Sequence, residues 1–410
     1  MNLFIEFSLV VVLVTLVSIA IYKLKQPLVI AYIITGLLIG YILNIHQDTK
    51  ETLEILSQFG IAFLLFIIGL SLKPAVLKEV GKISIITGIG QVIFTSAIGF
   101  FISLLLGFNI ITSIYIAIAL TFSSTIIILK ILSDKKAIDQ LYGKIAIGFL
   151  LVQDIVAVIA LMFISAFAQK SNGLETIGIS FLIGILITIF IAIFTIMFIQ
   201  KILDYIAKSQ ELLFLFTIAW GLGIASLYYY FGFSMEIGAL IAGVALASSK
   251  YSTQISSKTK PLRDFFLILF FIVLGSQLII GDIKNIFIPA LLFSLFIIIG
   301  NPLIVFILMT KLGYTRKNSF LAGLTVAQIS EFSLILILLG IKIGHLNDSI
   351  LPLVTLVGLI TITTSTYCMI YADQLFKFIS PLLKLLAKKD IITNNTSFPL
   401  KKYCYLGAIE

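Results

Sequence analysis

One acidic residue, Asp154, lies in the middle of a long apolar segment that runs from Gly143 to Ala168. At about 1.5 Å per helical residue, Asp154 falls about 15 Å from the start of this segment, near the midplane of a hydrocarbon core about 30 Å thick. An ionisable side chain at that depth costs about 2.5–3.5 kcal/mol even on insertion-based scales, so such residues usually mark ion or proton pathways. We therefore predict that Asp154 holds a proton or a cation. The alternative is a neutral or paired aspartate that joins two helices.

Four hydroxyl side chains interrupt the apolar segment from Tyr115 to Lys130. They are Thr121, Ser123, Ser124 and Thr125. Ser and Thr can bind the backbone groups that are released where a membrane helix unwinds, so this cluster is typical of a broken transmembrane helix. Hydroxyl groups also join intact membrane helices to one another, and this cluster by itself leaves both interpretations open.

A second polar cluster, which contains Gln328, Ser330 and Glu331, follows Gly323. Two broken helices at corresponding depths are the best sequence indication of a transporter's binding site. The two clusters lie seven predicted spans apart, so their helices cross the membrane in opposite directions, as an inverted repeat requires. We predict half-helices that begin near Ser124 and Ser330 and direct the positive ends of their dipoles at the site. Glu331 is interpreted either as a partner for released backbone or as a gating or cation-binding residue.

The composition excludes a soluble protein. Of the 410 residues, 60% are hydrophobic and 11% are charged, whereas soluble domains carry about a quarter charged residues. The chain is therefore predicted to be a multi-pass protein of the lipid bilayer. The net charge of +9 reflects basic cytoplasmic loops in such a protein, so no nucleic-acid partner is expected. Two cysteines, Cys368 and Cys404, predict no disulfide framework.

Apolar segments separated by polar connectors predict about thirteen transmembrane helices. They are Leu3–Tyr22, Pro27–Leu43, Leu53–Leu72, Ile83–Phe108, Ile110–Ile131, Gly143–Ala168, Leu174–Gln200, Leu212–Tyr230, Ile237–Ala247, Phe265–Ile280, Ile286–Met309, Phe320–Ile341 and Ile350–Tyr371. With the N-terminus outside, alternate connectors together with the C-terminal tail place 24 of the 28 lysine and arginine residues inside. This segregation follows the positive-inside rule, so we expect an external N-terminus and a cytoplasmic C-terminus.

These segments resemble the monovalent cation:proton antiporter family, in particular its Kef-like branch. The resemblance rests on the segment from Gln26 to Gly40, on Phe122-Ser-Ser-Thr125, on Val152-Gln-Asp154 and on the segment from Gly323 to Ser333, and it covers roughly residues 1–385. It implies an all-α polytopic membrane protein with inverted-topology repeats and two crossed discontinuous helices. In such proteins a six-helix core moves against a dimerisation domain, so the resemblance also implies a homodimer in a bacterial-type plasma membrane.

The same resemblance assigns roles to the site residues. Asp154 would carry a proton and a cation alternately, with Gln153 as its partner and with the hydroxyl cluster of the first broken helix lining the crossing. The Gln-Asp pair favours potassium over sodium. Many relatives have a basic residue where this chain has Gly300-Asn301-Pro302, so an electrogenic stoichiometry is in doubt. Together with Gln328, Ser330 and Glu331, Asn301 is predicted to support the site.

We also expect residues 386–410 to form a short cytoplasmic tail with no nucleotide-binding regulatory domain. Regulation by a separate subunit is left open. No cofactor is expected, because the only metal ion implied is the monovalent cation that Asp154 would bind transiently.

The residues predict a secondary active antiporter, because burial favours the protonated form of a carboxyl group whereas a bound cation favours the charged form. A cation channel or uniporter could use the same broken helices, although it would not need a protonatable group at the midplane. An organic-anion symporter would be expected to have a larger cavity and polar sites for two sodium ions. An enzyme is not expected, since the sequence shows no His/Glu zinc spacing, no facing pair of aspartates and no Ser/His arrangement at depth.

Overall fold

The computed structural model describes residues 3–42, 47–71, 81–138, 140–166, 184, 186–231, 233, 235–276, 278 and 280–386. All regular elements in these ranges are helices. The first are α1 (Leu3–Lys23), α2 (Leu28–Ile42), α3 (Gln47–Ser71), α4 (Lys82–Leu105), α5 (Ile110–Ala119), α6 (Thr125–Asp134), α7 (Leu141–Ala166) and α8 (186–194, a π-helical turn at Thr195–Ile199, and Gln200–Ile206). The others are α9 (Gln210–Tyr230), α10 (Met235–Ala247), α11 (Ser252–Ser276), α12 (Ile280–Leu295, a π-helical turn at Phe296–Gly300, and Asn301–Lys311), α13 (Arg316–Leu324), α14 (Glu331–Lys342), α15 (Ile350–Ile370) and α16 (Ala372–Leu386).

The helices correspond to the predicted membrane spans. Within the described ranges, 7 helices are long and apolar enough to cross a membrane, and several shorter apolar helices accompany them. Two predicted spans are each divided into half-helices, α5 with α6 and α13 with α14. The seventh predicted span is described only from residue 184 onwards. The all-α polytopic fold and the two discontinuous helices are therefore confirmed.

Helices α1–α3 and α8–α11 form one group, here called the scaffold group, in which α3 packs against α10 and α11, and α2 against α11. Small residues allow these backbones to approach closely. A Cβ atom on Gly36 would lie 2.0 Å from the carbonyl oxygen of Ile272, and one on Gly275 would lie 2.0 Å from that of Ile33. Only glycine fits at these two points, which explains the small residues in α2.

Helices α4–α7 and α12–α15 form the second group, here called the core group. The half-helices pack on full-length neighbours: α5 on α4, α13 on α12 and on α7, and α14 on α5. Between the two groups lies one continuous hydrophobic cluster, to which Ile33, Leu64 and Phe270 contribute from the scaffold group and Ile329 and Val357 from the core group. The core group thus holds both helix breaks beside an apolar boundary.

Two features of the described structure go beyond the sequence prediction. Helix α11 begins at Ser252, well before the predicted start at Phe265, because an apolar segment marks only the membrane-embedded part of a helix. Helix α16 follows the last span and docks on α13, where Phe376 lies 5.7 Å from Phe320 between ring centroids. Residues 387–410 lie outside the described ranges, so the predicted tail stays a prediction.

Candidate functional site

The first helix break comprises residues 120–124, between α5 and α6. Two of its side chains cap the half-helices on either side. Thr121 donates a hydrogen bond to the carbonyl of Ile118 at 2.7 Å and so closes the end of α5. Ser124 accepts a hydrogen bond from the backbone N–H of Ile127 and caps the start of α6. The hydrogen bonds of both residues therefore stabilise the ends of the half-helices at the break.

Asp154 lies near the middle of α7 and is partly buried. Its Oδ2 accepts a hydrogen bond of 2.9 Å from the hydroxyl of Thr125, the first residue of α6. The carboxylate is therefore beside the N-terminus of a half-helix, where the helix dipole and the unpaired N–H groups favour negative charge. Of the four predicted hydroxyl residues, only Thr125 is hydrogen-bonded to Asp154.

The second helix break comprises residues 325–330, between α13 and α14. Ser330 caps α14, because its hydroxyl oxygen accepts from the N–H of Phe332 at 3.3 Å. The same hydroxyl donates to Oε2 of Glu331 at 3.1 Å. Gln328, which is fully buried, accepts a hydrogen bond from Ser365 of α15 at 2.7 Å. A second carboxylate thus lies at the start of the second half-helix, α14.

The two breaks meet in the core group. Ser123 of the first break donates to the carbonyl of Val326 in the second at 3.4 Å. Asn301 bridges the same two segments, since its amide donates to the carbonyls of Leu120 at 3.3 Å and Val326 at 3.4 Å. Asn301 directly follows the π-helical turn of α12, and such turns often occur at functional positions. The predicted crossing is therefore observed, with Asn301 at its centre.

The Gln153 side chain is directed toward the first break. Its Oε1 accepts from the backbone N–H of Ser123 at 3.4 Å, and its Nε2 donates to Gln91 of α4 at 2.6 Å. Gln153 thus binds the backbone of the break whose following helix contacts Asp154. The role of Gln153 as the partner of Asp154 stays a prediction.

A family model described as sodium/hydrogen exchanger, transmembrane, matches residues 9–369, which include both breaks and Asp154. The chain belongs to the sodium/hydrogen exchanger family. This family consists of transporters, and the chain is accordingly an integral, multi-pass membrane protein. The resemblance inferred from the sequence motifs is confirmed.

Individual relatives agree with this assignment, and the chain spans less than two thirds of the length of several of them. It is 32% identical over 343 residues to YbaL of Escherichia coli, provisionally named as a cation/proton antiporter, with 80% of this chain and 61% of YbaL aligned. It is 27% identical over 379 residues to the potassium/proton antiporter subunit KhtU of Bacillus subtilis, with 88% and 91% aligned. The structure of the sodium proton antiporter MjNhaP1 of Methanocaldococcus jannaschii has the same fold, with a TM-score of 0.58, 19% identity and coverage of 94% and 98%.

The sequence analysis does not identify two residues of the candidate site, Gln91 and Thr95 of α4. Both are fully buried, and Thr95 donates to Oδ1 of Asn301 at 2.8 Å. A signal was present, because the small and polar residues of α4 recur at helical spacing on the face that is buried. They are Ser84, Thr87, Gly88, Gln91, Thr95, Gly99 and Ser103. A polar stripe of this kind on an otherwise apolar helix predicts a face turned toward polar groups.

The site has oxygen ligands for a monovalent cation but too few side-chain ligands, within the described ranges, for a tightly bound metal ion. Within the described ranges, no group of three or more His, Cys, Asp or Glu side chains could hold a metal ion. Asp154, the Thr125 hydroxyl and the carbonyl groups of the break are oxygen ligands, which suit the alkali cations that bind and leave quickly. The arrangement can therefore bind a cation transiently.

Proposed function

We propose that this chain is a secondary active antiporter that exchanges a monovalent cation for protons, and that it prefers potassium to sodium. The observation that carries this proposal is the position of Asp154, whose Oδ2 lies 2.9 Å from the hydroxyl of Thr125 at the N-terminus of a half-helix. The family match and the potassium/proton antiporter name of one relative support the same activity.

The reaction follows from the properties of one carboxylate. A protonated Asp154 is neutral and has no charge to offer a cation, whereas an ionised Asp154 is balanced by one monovalent cation. Proton and cation therefore exclude one another at this site. If the core group changes sides only when Asp154 is occupied, then outward movement of one ion is coupled to inward movement of the other.

The stoichiometry is proposed to be one proton for one cation, and hence electroneutral. Asn301, at the centre of the crossing, is a neutral amide that is already hydrogen-bonded to both breaks. Helix α15, which follows the second broken helix as α7 follows the first, has no acidic residue between Ile350 and Ile370. A second carrier equivalent to Asp154 is thus absent from the other repeat in the described structure.

We also propose the extent of the domain, its orientation in the membrane, its oligomeric state and its regulation. Residues 1–385 form the exchanger domain, its N-terminus faces outside, and its connectors rich in lysine and arginine face the cytoplasm of a bacterial-type cell. We propose a homodimer formed by the scaffold group. Regulation by a separate subunit agrees with the subunit name of the Bacillus relative.

Proteoliposomes test the proposal directly. A preset pH gradient should collapse when potassium is added to the wild-type protein, more slowly with sodium, and equally well when the membrane potential is clamped. Asp154→Asn should abolish the collapse, while Asp348→Asn, an exposed residue in a connector, should leave it unchanged. Exchange that persists in Asp154→Asn would refute the proposed carrier. A potassium current without a pH gradient would instead indicate a channel.

A further inference from the structure

Gln91 occupies a central place in a buried network of hydrogen bonds between α4, α7 and α12. Its Nε2 donates to the hydroxyl of Thr95 at 3.1 Å and to the carbonyl of Thr121 at 3.3 Å, and its Oε1 accepts from Nε2 of Gln153 at 2.6 Å. Gln91 and Thr95 are fully buried. Polar groups in such a position are stable only when they are paired, so these bonds restrict the side chains strongly.

The orientation of the Gln91 amide follows from its partners. The carbonyl of Thr121 can only accept a hydrogen bond, so the nitrogen of Gln91 must face it and the oxygen must face Gln153. The Gln153 nitrogen then faces Gln91, and the Gln153 oxygen is directed to the N–H of Ser123 in the first break. The Thr121 carbonyl and the Ser123 N–H thereby fix the orientations of the Gln91 and Gln153 amides.

The hydrogen bonds of Gln91 continue through Thr95 and Asn301 to the second break. Because the hydroxyl of Thr95 accepts from Gln91, its single hydrogen is available for Oδ1 of Asn301, at 2.8 Å. The Asn301 nitrogen then donates to the carbonyls of Leu120 and Val326. Gln91 thus contributes, through Thr95, to the hydrogen bonds of Asn301 that hold both breaks.

This network divides the carbonyl groups of the first break into two classes. Those of Leu120 and Thr121 accept hydrogen bonds from amide groups. Those of Phe122 and Ser123, which adjoin the start of α6, accept none in the part of the chain that the structure describes. A carbonyl that already accepts a hydrogen bond is a weaker ligand for a cation, and the number and strength of carbonyl ligands influence the choice between potassium and sodium.

We propose that Gln91 is a positioning residue that sets the cation preference of the exchanger. It withholds the carbonyl of Thr121 from the transported ion directly and, through Thr95, supports the Asn301 amide that occupies the carbonyls of Leu120 and Val326. This inference rests on the proposed exchange function. Gln91 itself does not touch the cation. Its loss would release the carbonyl of Thr121 and remove the donor that orients the Thr95 hydroxyl, which supports Asn301. Additional carbonyl oxygen atoms would then become available to the ion.

The test compares cation preference in proteoliposomes. Gln91→Met has nearly the same volume but forms none of the three hydrogen bonds, and we expect it to change the ratio of apparent KM values for potassium and sodium by about fivefold or more. The matched control is Thr87→Val, on the same buried face, because the Thr87 hydroxyl has no hydrogen-bond partner in the described structure. The control should retain the wild-type ratio.

The outcomes are distinguishable. If Gln91→Met lowers the maximal rate or the thermal stability but keeps the wild-type KM ratio, its role is structural only and the inference is wrong. If this variant does not yield monodisperse protein, Thr95→Val interrupts the branch to Asn301 and must shift the ratio; an unchanged ratio there also overturns the inference. Absence of exchange by the wild-type protein would contradict the proposed function and not the role of Gln91.

Discussion

Glu236 and Lys342 form an ion pair of 3.1 Å that joins the scaffold group to the core group. Glu236 lies in the first turn of α10, and Lys342 is the last residue of α14. The Glu236 side chain is only 12% exposed and that of Lys342 is 38% exposed. A pair of this kind holds the second half-helix in place relative to the scaffold group, and it must break if the two groups slide past one another.

Charge reversal tests this consequence. Glu236→Lys and Lys342→Glu should each change the exchange rate by up to about fivefold, since partly exposed ion pairs contribute about 0.2–1 kcal/mol. The double variant, in which the charges are exchanged, should recover most of the wild-type rate. Initial rates of pH-gradient collapse provide the measurement. Additive effects in the double variant would show that the pair does not influence the movement.

Substitution of Gly275 by alanine should separate α11 from α2. The added Cβ would lie 2.0 Å from the carbonyl oxygen of Ile33, which is backbone and cannot move aside. Overpacking of this kind costs about 1–3 kcal/mol or more, so we expect a lower melting temperature in detergent. The control is Gly223→Ala, whose Cβ would meet nothing within 4 Å and should be neutral or stabilising. Equal melting temperatures for the two variants would contradict the packing argument.

Loss of the Thr125 hydroxyl should weaken cation binding. Thr125→Val removes the hydrogen bond to Oδ2 of Asp154, and a hydrogen bond to a charged group contributes about 1.5–3 kcal/mol. We expect the apparent KM for potassium to rise about tenfold or more. Thr363→Val is the control, because the Thr363 hydroxyl donates only to the carbonyl of Leu359 in its own helix. A wild-type KM in Thr125→Val would exclude Thr125 from the site.

The docking of α16 should depend on pH at acidic values only. A hydrogen bond from Lys317, at 2.8 Å, holds the pKa of the Asp373 carboxyl below its ordinary value, and the charges of Lys317, Lys135 and Lys377 act in the same direction. A carboxyl group with a lowered pKa stabilises the docked state above its ordinary pKa of about 3.9, and this contribution is lost as the pH falls through the lowered value.

A spin label at residue 380 reports on this docking. In the wild-type protein its mobility should be constant from pH 8 to about pH 5 and should increase below about pH 4. Asp373→Asn should show increased mobility at neutral pH and no further change on acidification. A label whose mobility rises equally in both proteins would indicate that the Lys317–Asp373 pair is irrelevant to docking.

The sequence was sufficient to predict the membrane-spanning fold and the two broken helices. Asp154, which lies beside the first break, could be singled out because an ionisable group in the middle of a long apolar segment is rare. The breaks could be recognised because hydroxyl and amide side chains cluster where the backbone leaves the helix. These signals are local. Each arises within a single segment, so no tertiary information was needed.

The partners of these residues could not be predicted, since they depend on which helix faces lie together. Gln153 and Thr361 illustrate the point: each accepts a hydrogen bond of 3.4 Å from a backbone N–H of a break, from Ser123 and Ile329 respectively. They belong to α7 and α15, the corresponding helices of the two repeats. The equivalence becomes visible only when the helices are packed, and the same holds for Gln91, whose three partners come from α4, α7 and the first break.

The most direct test of the central claim is the pH dependence of the apparent KM for potassium. If proton and cation compete for Asp154, lowering the pH on the side of the cation should raise the KM by up to about tenfold per pH unit and leave the maximal rate unchanged at saturating potassium. A KM that is independent of pH, with a maximal rate that falls on acidification, would show that the proton acts elsewhere and would contradict the shared site.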